Sequence, residues 1–320
     1  MLRARAIAAY AAALLLFAGC QRKPAPVEAP RPFVLADAMQ HWYGRYDPST
    51  QTARANLPEL PSANLVGSWF APRDPVDIVV IFDAGYLQSG HPRHVVVTAA
   101  VPHRSDKPGR PGDDLFQCIT CRPVIGMAVF TRRLNTWLLE DANDAVDLAG
   151  GNGKPPSVKL VTLGTDHHGI RLESQTQAND FTSSSVSILV PWQEDVVRAF
   201  SQETAYSNRG ACGPQSPLRD PCYSWQRVDT FADVPGQDYD DLVLTGSGTQ
   251  PPPEVNKDLK PATLPHDKTP ATPAEPAPIP YTSVERLRFK EGKYVPLPGT
   301  DTSIPEQDDS ASPAIQTAGR

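Results

Sequence analysis

Short apolar runs rich in β-branched residues set the dominant pattern along the chain. Residues 76–82 (Val-Asp-Ile-Val-Val-Ile-Phe) and 94–101 are runs of this kind, bounded by proline and glycine, and they predict a pair of buried strands. Residues 126–130 predict a third strand, and residues 157–163, 169–173 and 184–190 predict three more. A longer period appears twice. Phe33, Val34, Leu35, Ala38, Met39, Trp42, Tyr43 and Tyr46 approximate one helical face, stopped by Asp47-Pro48. Leu134, Trp137, Leu138, Asp141, Ala145 and Leu148 also share one side of a predicted helix over 134–148, ended by Gly150-Gly151. Towards the C-terminus, Tyr239 to Gly246 runs into a strand. Two alternating segments flank Glu291-Gly292, which predicts a tight hairpin. The pattern predicts an α+β, β-rich fold of antiparallel sheets with few helices.

Composition adds an interruption. Of the 35 prolines, ten fall within residues 250–280, a stretch almost without large apolar side chains. Such a segment buries too little surface to offset its ordering entropy, so it is predicted to be a disordered insertion. Its closure costs a meander little, because loop entropy grows slowly with length. Strands 239–244 and 287–295 are therefore expected as neighbours in one sheet. A body over 33–249 carries a C-terminal hairpin, 281–297, because two strands rarely stand alone. Residues 298–320 read as a loose tail, and a split of the body near 104–115 is the rival division. No internal repeat supports a solenoid or a complete propeller. The net charge of −6 offers no basic face for nucleic acid.

The N-terminus changes the setting. Arg3 and Arg5 precede an apolar run over 6–18, broken only by Tyr10 and too short to span a bilayer. It ends in Leu16-Phe17-Ala18-Gly19-Cys20, which resembles the lipobox of bacterial lipoproteins. The resemblance implies a signal peptide over 1–19, removal of that segment, and diacylglycerol and a further acyl chain such as palmitate on Cys20. Residues 20–32, with Pro24, Pro26, Pro30 and Pro32, then read as an extended tether. Gln21, where an Asp would imply inner-membrane retention, points to the outer membrane facing the periplasm.

That compartment is oxidising, so Cys118, Cys121, Cys212 and Cys222 read as disulfides. Local pairing, Cys118–Cys121 and Cys212–Cys222, is the simplest of three connectivities. A redox Cys-x-x-Cys and a four-thiolate zinc site are the alternatives; Pro123 and the lack of a following helix weigh against the first. Residues 232–243 resemble one degenerate copy of the calcium loop of FG-GAP or VCBS-type repeats. By that resemblance Asp233 and Asp241 are the opening and closing ligands, with Asp238 and Asp240 as further carboxylates. Pro235 and Gln237 stand where the pattern has acidic or amide ligands, and a metal-free acidic turn is the competing reading. Beyond calcium no cofactor is expected.

Two histidine pairs, His91/His94 and His167/His168 with Asp166 alongside, are weighed as zinc ligands against exposed loop residues. Adjacent residues on a strand would point apart. Residues 150–154 have a phosphate-loop flavour, but Pro155 replaces the Ser or Thr. Glu140-Asp141 and Glu194-Asp195 read as solvated charges. With no Gly-x-Ser-x-Gly, His-Glu-x-x-His or Ser-x-x-Lys signature, catalytic residues are unassigned. The expectation is a non-catalytic periplasmic binding, inhibitor or structural protein with an envelope protein or polymer as partner. Trp69 and Trp225 are candidate contacts. A periplasmic hydrolase with an unrecognised site is the alternative.

Overall fold

A computed structural model describes residues 31–55, 76–102, 122–178, 180–213, 221–251 and 277–298. Residues 252–276 of the predicted Pro-rich insertion, nearly all of the tail and most of the tether lie outside these residues; the ends of the insertion as predicted, Gln250 and Ile279-Pro280, belong instead to paired strands. The described chain is β-rich, with two antiparallel sheets and one helix, α1 (Leu35–Tyr43). The helix stops at Gly44, whose left-handed conformation lets its N–H bond to the Gln40 carbonyl.

Sheet I contains β1 (Tyr46–Asp47), β2 (Thr52–Ala55), β3 (Val76–Gln88), β4 (His91–Pro102), β5 (Val124–Arg133) and β6 (Thr136–Leu148), in that spatial order. Sheet II contains β7 (Ser157–Gly164), β8 (His167–Ala178), β9 (Phe181–Trp192), β10 (Asp195–Ser207), β11 (Ser224–Ala232), β12 (Asp241–Gln250), β13 (Ile279–Lys290) and β14 (Lys293–Pro296), again in chain order. Within each sheet, every strand therefore lies beside its successor. The pairings Leu242↔Leu287 and Gln250↔Ile279 join β12 to β13, and Glu291-Gly292 turns β13 into β14 with both residues at positive φ.

The helix predicted over 134–148 is instead a turn followed by the strand Thr136–Leu148. Leu134 sits in a turn and residues 136–148 pair along β5. The misleading period comes from bulges. Register shifts opposite Ile125/Met127 and Val129/Phe130 place Trp137, Leu139, Ala142, Ala145 and Leu148 against one core, at intervals that imitate a helix. Gly126 permits the irregularity: a Cβ there would lie 2.7 Å from Thr98 Oγ1 and 3.1 Å from the Asp144 backbone.

Three cores follow. Val79, Val95, Val97, Ile125 and Met127 of sheet I pack between the sheets against Ile170, Leu172, Leu189 and Val196 of sheet II. On its other face, sheet I buries Ile78, Val96, Ala128 and Phe130 beneath Ala38 and Met39 of α1. The third core arises because β10 is bulged at Arg198/Phe200 and Glu203/Ala205, so that sheet II folds over itself. Leu242, Leu244, Leu287 and Tyr294 thereby meet Leu163, Val186, Ile188, Val190 and Phe200. Each fully buried aliphatic side chain contributes about 1.5–3 kcal/mol. Closure is reinforced by the Asp240 N–H on the Leu163 carbonyl at 2.7 Å, and by Arg171 clasping Asp229 through two bonds of 2.8 Å.

Candidate functional site

Cys20, Cys118 and Cys121 lie outside the described residues, as does Trp69. Cys212 and Cys222 are disulfide-bonded, with Cα atoms 5.0 Å apart, across the loop from β10 to β11. Asn208, which is buried, ties the two ends of this connection together. Its side chain donates to the Pro221 carbonyl at 2.9 Å and accepts from the Tyr223 N–H at 2.8 Å.

The acidic loop is held by arginines of the neighbouring strand. Asp241 is fully buried and accepts from Arg286 Nε at 2.7 Å, Arg288 Nε at 3.2 Å and Arg288 Nη2 at 3.3 Å. Burial pushes its carboxyl up, but the bonds from Arg288 and Arg286 outweigh that and hold it below the usual carboxylate range. Asp240 is pushed up by burial and by the charges of Asp233 and Asp241. Among the described residues, no group of three or more His, Cys, Asp or Glu side chains is arranged to hold a metal ion. The adjacent histidines point apart: His167 stacks on Tyr239 at 4.2 Å, and His168 lies 4.9 Å from Tyr86. His94 stacks on Phe33 at 3.6 Å and bonds Asp83 at 3.0 Å.

Two constellations gather side chains that the core does not require. The first is an aromatic strip where β10 meets β11. Tyr206 and Trp225 are cross-strand partners and share a face. Tyr206 lies 6.3 Å from Phe181 and stacks on Tyr223 at 5.4 Å, while Trp225 lies 6.1 Å from Tyr281. Arg227 stands 5.5 Å over the Trp225 ring and donates to the Tyr281 hydroxyl at 2.9 Å. Tyr281 in turn meets Ser283 at 2.7 Å. Its ring fits because Gly246 lies beneath it; a Cβ there would stand 2.7 Å from the Tyr281 oxygen and 2.3 Å from Ser283 Oγ. Phe181, Tyr206, Tyr223 and Trp225 remain half-exposed. Of these rings, the sequence pointed only to Trp225. The alternation of Tyr223 with Trp225, next to the second cysteine, was the signal for the rest.

The second is a polar cluster at one margin of the space between the sheets. Arg93 donates to Glu140 Oε1 at 3.0 Å. Burial pushes the Tyr86 hydroxyl up to about 12, against the pull of Arg93. Burial, then the charge of Glu140, pushes Asp141 up to about 6, and burial lowers His168. Gln88 Oε1, Arg93 Nε, Glu140 Oε2 and His168 Nδ1 are buried without a hydrogen-bond partner, four of the six such atoms among the described residues. Glu140 and Asp141 are thus part of a packed cluster rather than plain solvated charges.

A cleft of ≈ 400 Å³ lies elsewhere, between the start of α1 and the β5–β6 turn, lined by Phe33, Val34, Phe130, Asn135, Thr136 and Trp137 among others. No protein-family model, curated protein or solved structure matches the chain. No helix among the described residues is long and apolar enough to cross a membrane.

Proposed function

We propose that this is a lipid-anchored protein of the bacterial envelope, attached through Cys20 to the outer membrane and facing the periplasm, whose work is to bind an envelope protein or polymer. The aromatic strip around Trp225 carries the reading. Aromatic rings supply large contact area at low entropic cost, and an arginine stacked over a tryptophan adds a planar donor. The Cys212–Cys222 bridge and the Asn208 clip tie the end of β10 to the residues that lead into β11, where Tyr223 and Trp225 reach the surface. A strip secured so firmly is preorganised, which lowers the cost of association.

The test uses the mature chain with Cys20→Ser, immobilised and exposed to detergent-solubilised envelopes and to purified peptidoglycan. Material identified by mass spectrometry should be retained by this chain and lost with Trp225→Ala, while the melting temperature stays unchanged. Retention that survives both Trp225→Ala and Tyr223→Ala would place binding elsewhere.

A second reading, a periplasmic hydrolase, is favoured by one observation: the cluster of Asp141, His168, Tyr86 and Arg93–Glu140. The cluster offers a carboxyl raised to about 6 and, on the Tyr86 ring, an imidazole, both groups of the kind that general acid–base chemistry uses. Hydrolysis of an envelope polymer that disappears with both Asp141→Asn and His168→Gln would select this reading.

A further inference from the structure

One end of sheet I carries an apolar group that the fold does not use. Leu134 opens the two-residue turn between β5 and β6, at φ +55° and 96 % exposed. A leucine in the left-handed region is strained, because its Cβ crowds the following carbonyl oxygen. Such turns ordinarily take Gly, Asn or Asp there, so packing does not explain this residue. Leu87, 64 % exposed, stands beside the β3–β4 turn, and Val34, 46 % exposed, precedes α1. The pairings Leu87↔Pro92, Arg93↔Thr131 and Arg133↔Thr136 bring both hairpin turns to the same end. Arg132 and Arg133 lead directly into Leu134.

The chain enters the fold at this end as well. Trp137 Nε1 donates to the Arg31 carbonyl at 3.2 Å, and Arg31 and Val34 line the same cleft as Asn135 and Thr136. Eleven steps separate Arg31 from Cys20, a reach of at most about 36–40 Å and about 34 Å for a proline-rich extended chain. A lipid on Cys20 therefore leaves this end of the molecule, with Leu134, within reach of the bilayer.

We propose that the β5–β6 turn is a membrane-docking element, which inserts Leu134 into the interfacial layer of the phospholipid bilayer with Arg132 and Arg133 at the headgroups. Docking rests on the anchor: tethering makes the second contact intramolecular, so a weak interfacial insertion suffices. The basic pair complements anionic headgroups, although Asp37 in the adjoining cleft tempers that attraction. Docking also gives the molecule an orientation. Asn143 bonds Asp195 and Arg198 bonds Asp147, so β6 and β10 run in the same direction. Tyr206 and Trp225 consequently lie at the end away from Leu134, and docking presents the aromatic strip to the periplasm.

Two measurements test this. In the lipidated chain carrying Leu134→Trp, the added fluorescence should be quenched by brominated phospholipids in the host vesicle. At millimolar lipid, about the effective concentration that a tether supplies, a fraction of the unlipidated mature chain with Cys20→Ser should partition onto vesicles of phosphatidylethanolamine and phosphatidylglycerol, and Leu134→Asn should weaken that partition roughly three- to ten-fold. An added tryptophan that brominated lipid leaves unquenched, or equal partition of the unlipidated chain with and without Leu134→Asn, overturns docking. The second measurement involves no lipid anchor, so its failure leaves the attachment through Cys20 untouched. Absence of palmitate label from the parent chain would instead remove the anchor.

Discussion

Asp141 and Asp241 are buried carboxylates whose surroundings push them in opposite directions. Asp141 is raised to about 6 by burial and by Glu140, so the folded state holds its proton more tightly than the unfolded chain does. The associated stability is complete below the ordinary carboxylate pKa and is lost as pH rises through about 6. Asp141→Asn should therefore stabilise the protein by about 2 kcal/mol near neutral pH and by nothing in acid, read from denaturant titrations at both pH values. Equal stability at neutral pH would show that the carboxylate bears no burial penalty. Asp241 is lowered by Arg288 and Arg286, so its contribution is present above the ordinary carboxylate pKa and lost as pH falls through its lower folded value. Asp241→Asn should remove that acid limb of the stability profile. Neither role was visible in the sequence. Asp241 read as an ion ligand because its partners lie 45 and 47 positions away, on a strand that only folding brings beside it. The cluster of Tyr86, Arg93, Glu140, Asp141 and His168 likewise draws on four strands and leaves no local motif.

At the scale of elements, the β-branched runs and the hairpin at Glu291-Gly292 were readable because alternation and turn chemistry are local. What defeated the reading were bulges. In β6 they spaced apolar residues like a helix, and in β10 two register shifts blurred the alternation of a strand that went unpredicted. The close approach at Gly126 is the local device that makes β6 possible. Gly126→Val should cost about 2 kcal/mol, because the nearest obstacles include the Asp144 backbone rather than a side chain free to move. A thermal melt matching the parent would show that β6 has slack at this point. The β10–β11 loop is secured differently. Opening Cys212–Cys222, ten residues apart, by a double change to serine should cost about 2–3 kcal/mol on the loop-entropy account. It should also weaken retention on the Trp225 strip more than the stability loss alone explains, since Tyr223 and Trp225 would lose their fixed placement.

For the whole molecule, the decisive feature is that strand order in each sheet follows chain order, so each strand needs only its neighbour in sequence. Such a meander accepts an insertion at any turn, and the longest one falls between β12 and β13. Gln250 and Ile279 are paired, so the residues that the insertion joins already stand across from each other, at the roughly 5 Å spacing of neighbouring strands. The pairing continues without a shift to Leu242↔Leu287, where both side chains enter the third core, so register is set by that core and not by the connection. Replacing residues 252–276 with a flexible six-residue bridge should therefore leave the melting temperature within a few degrees, since each doubling of loop length changes closure by only about 0.6 kcal/mol. The same change should remove a principal site of limited proteolysis, because the replaced stretch has almost no apolar side chains to bury. Retention on the Trp225 strip provides the sharper readout, since Tyr281 begins only two residues beyond Ile279. If the shortened chain folds but no longer retains its partner, the proline-rich segment contributes to binding. If it fails to fold, the β12–β13 pairing depends on the connection, and the account of register given by Leu242 and Leu287 is wrong.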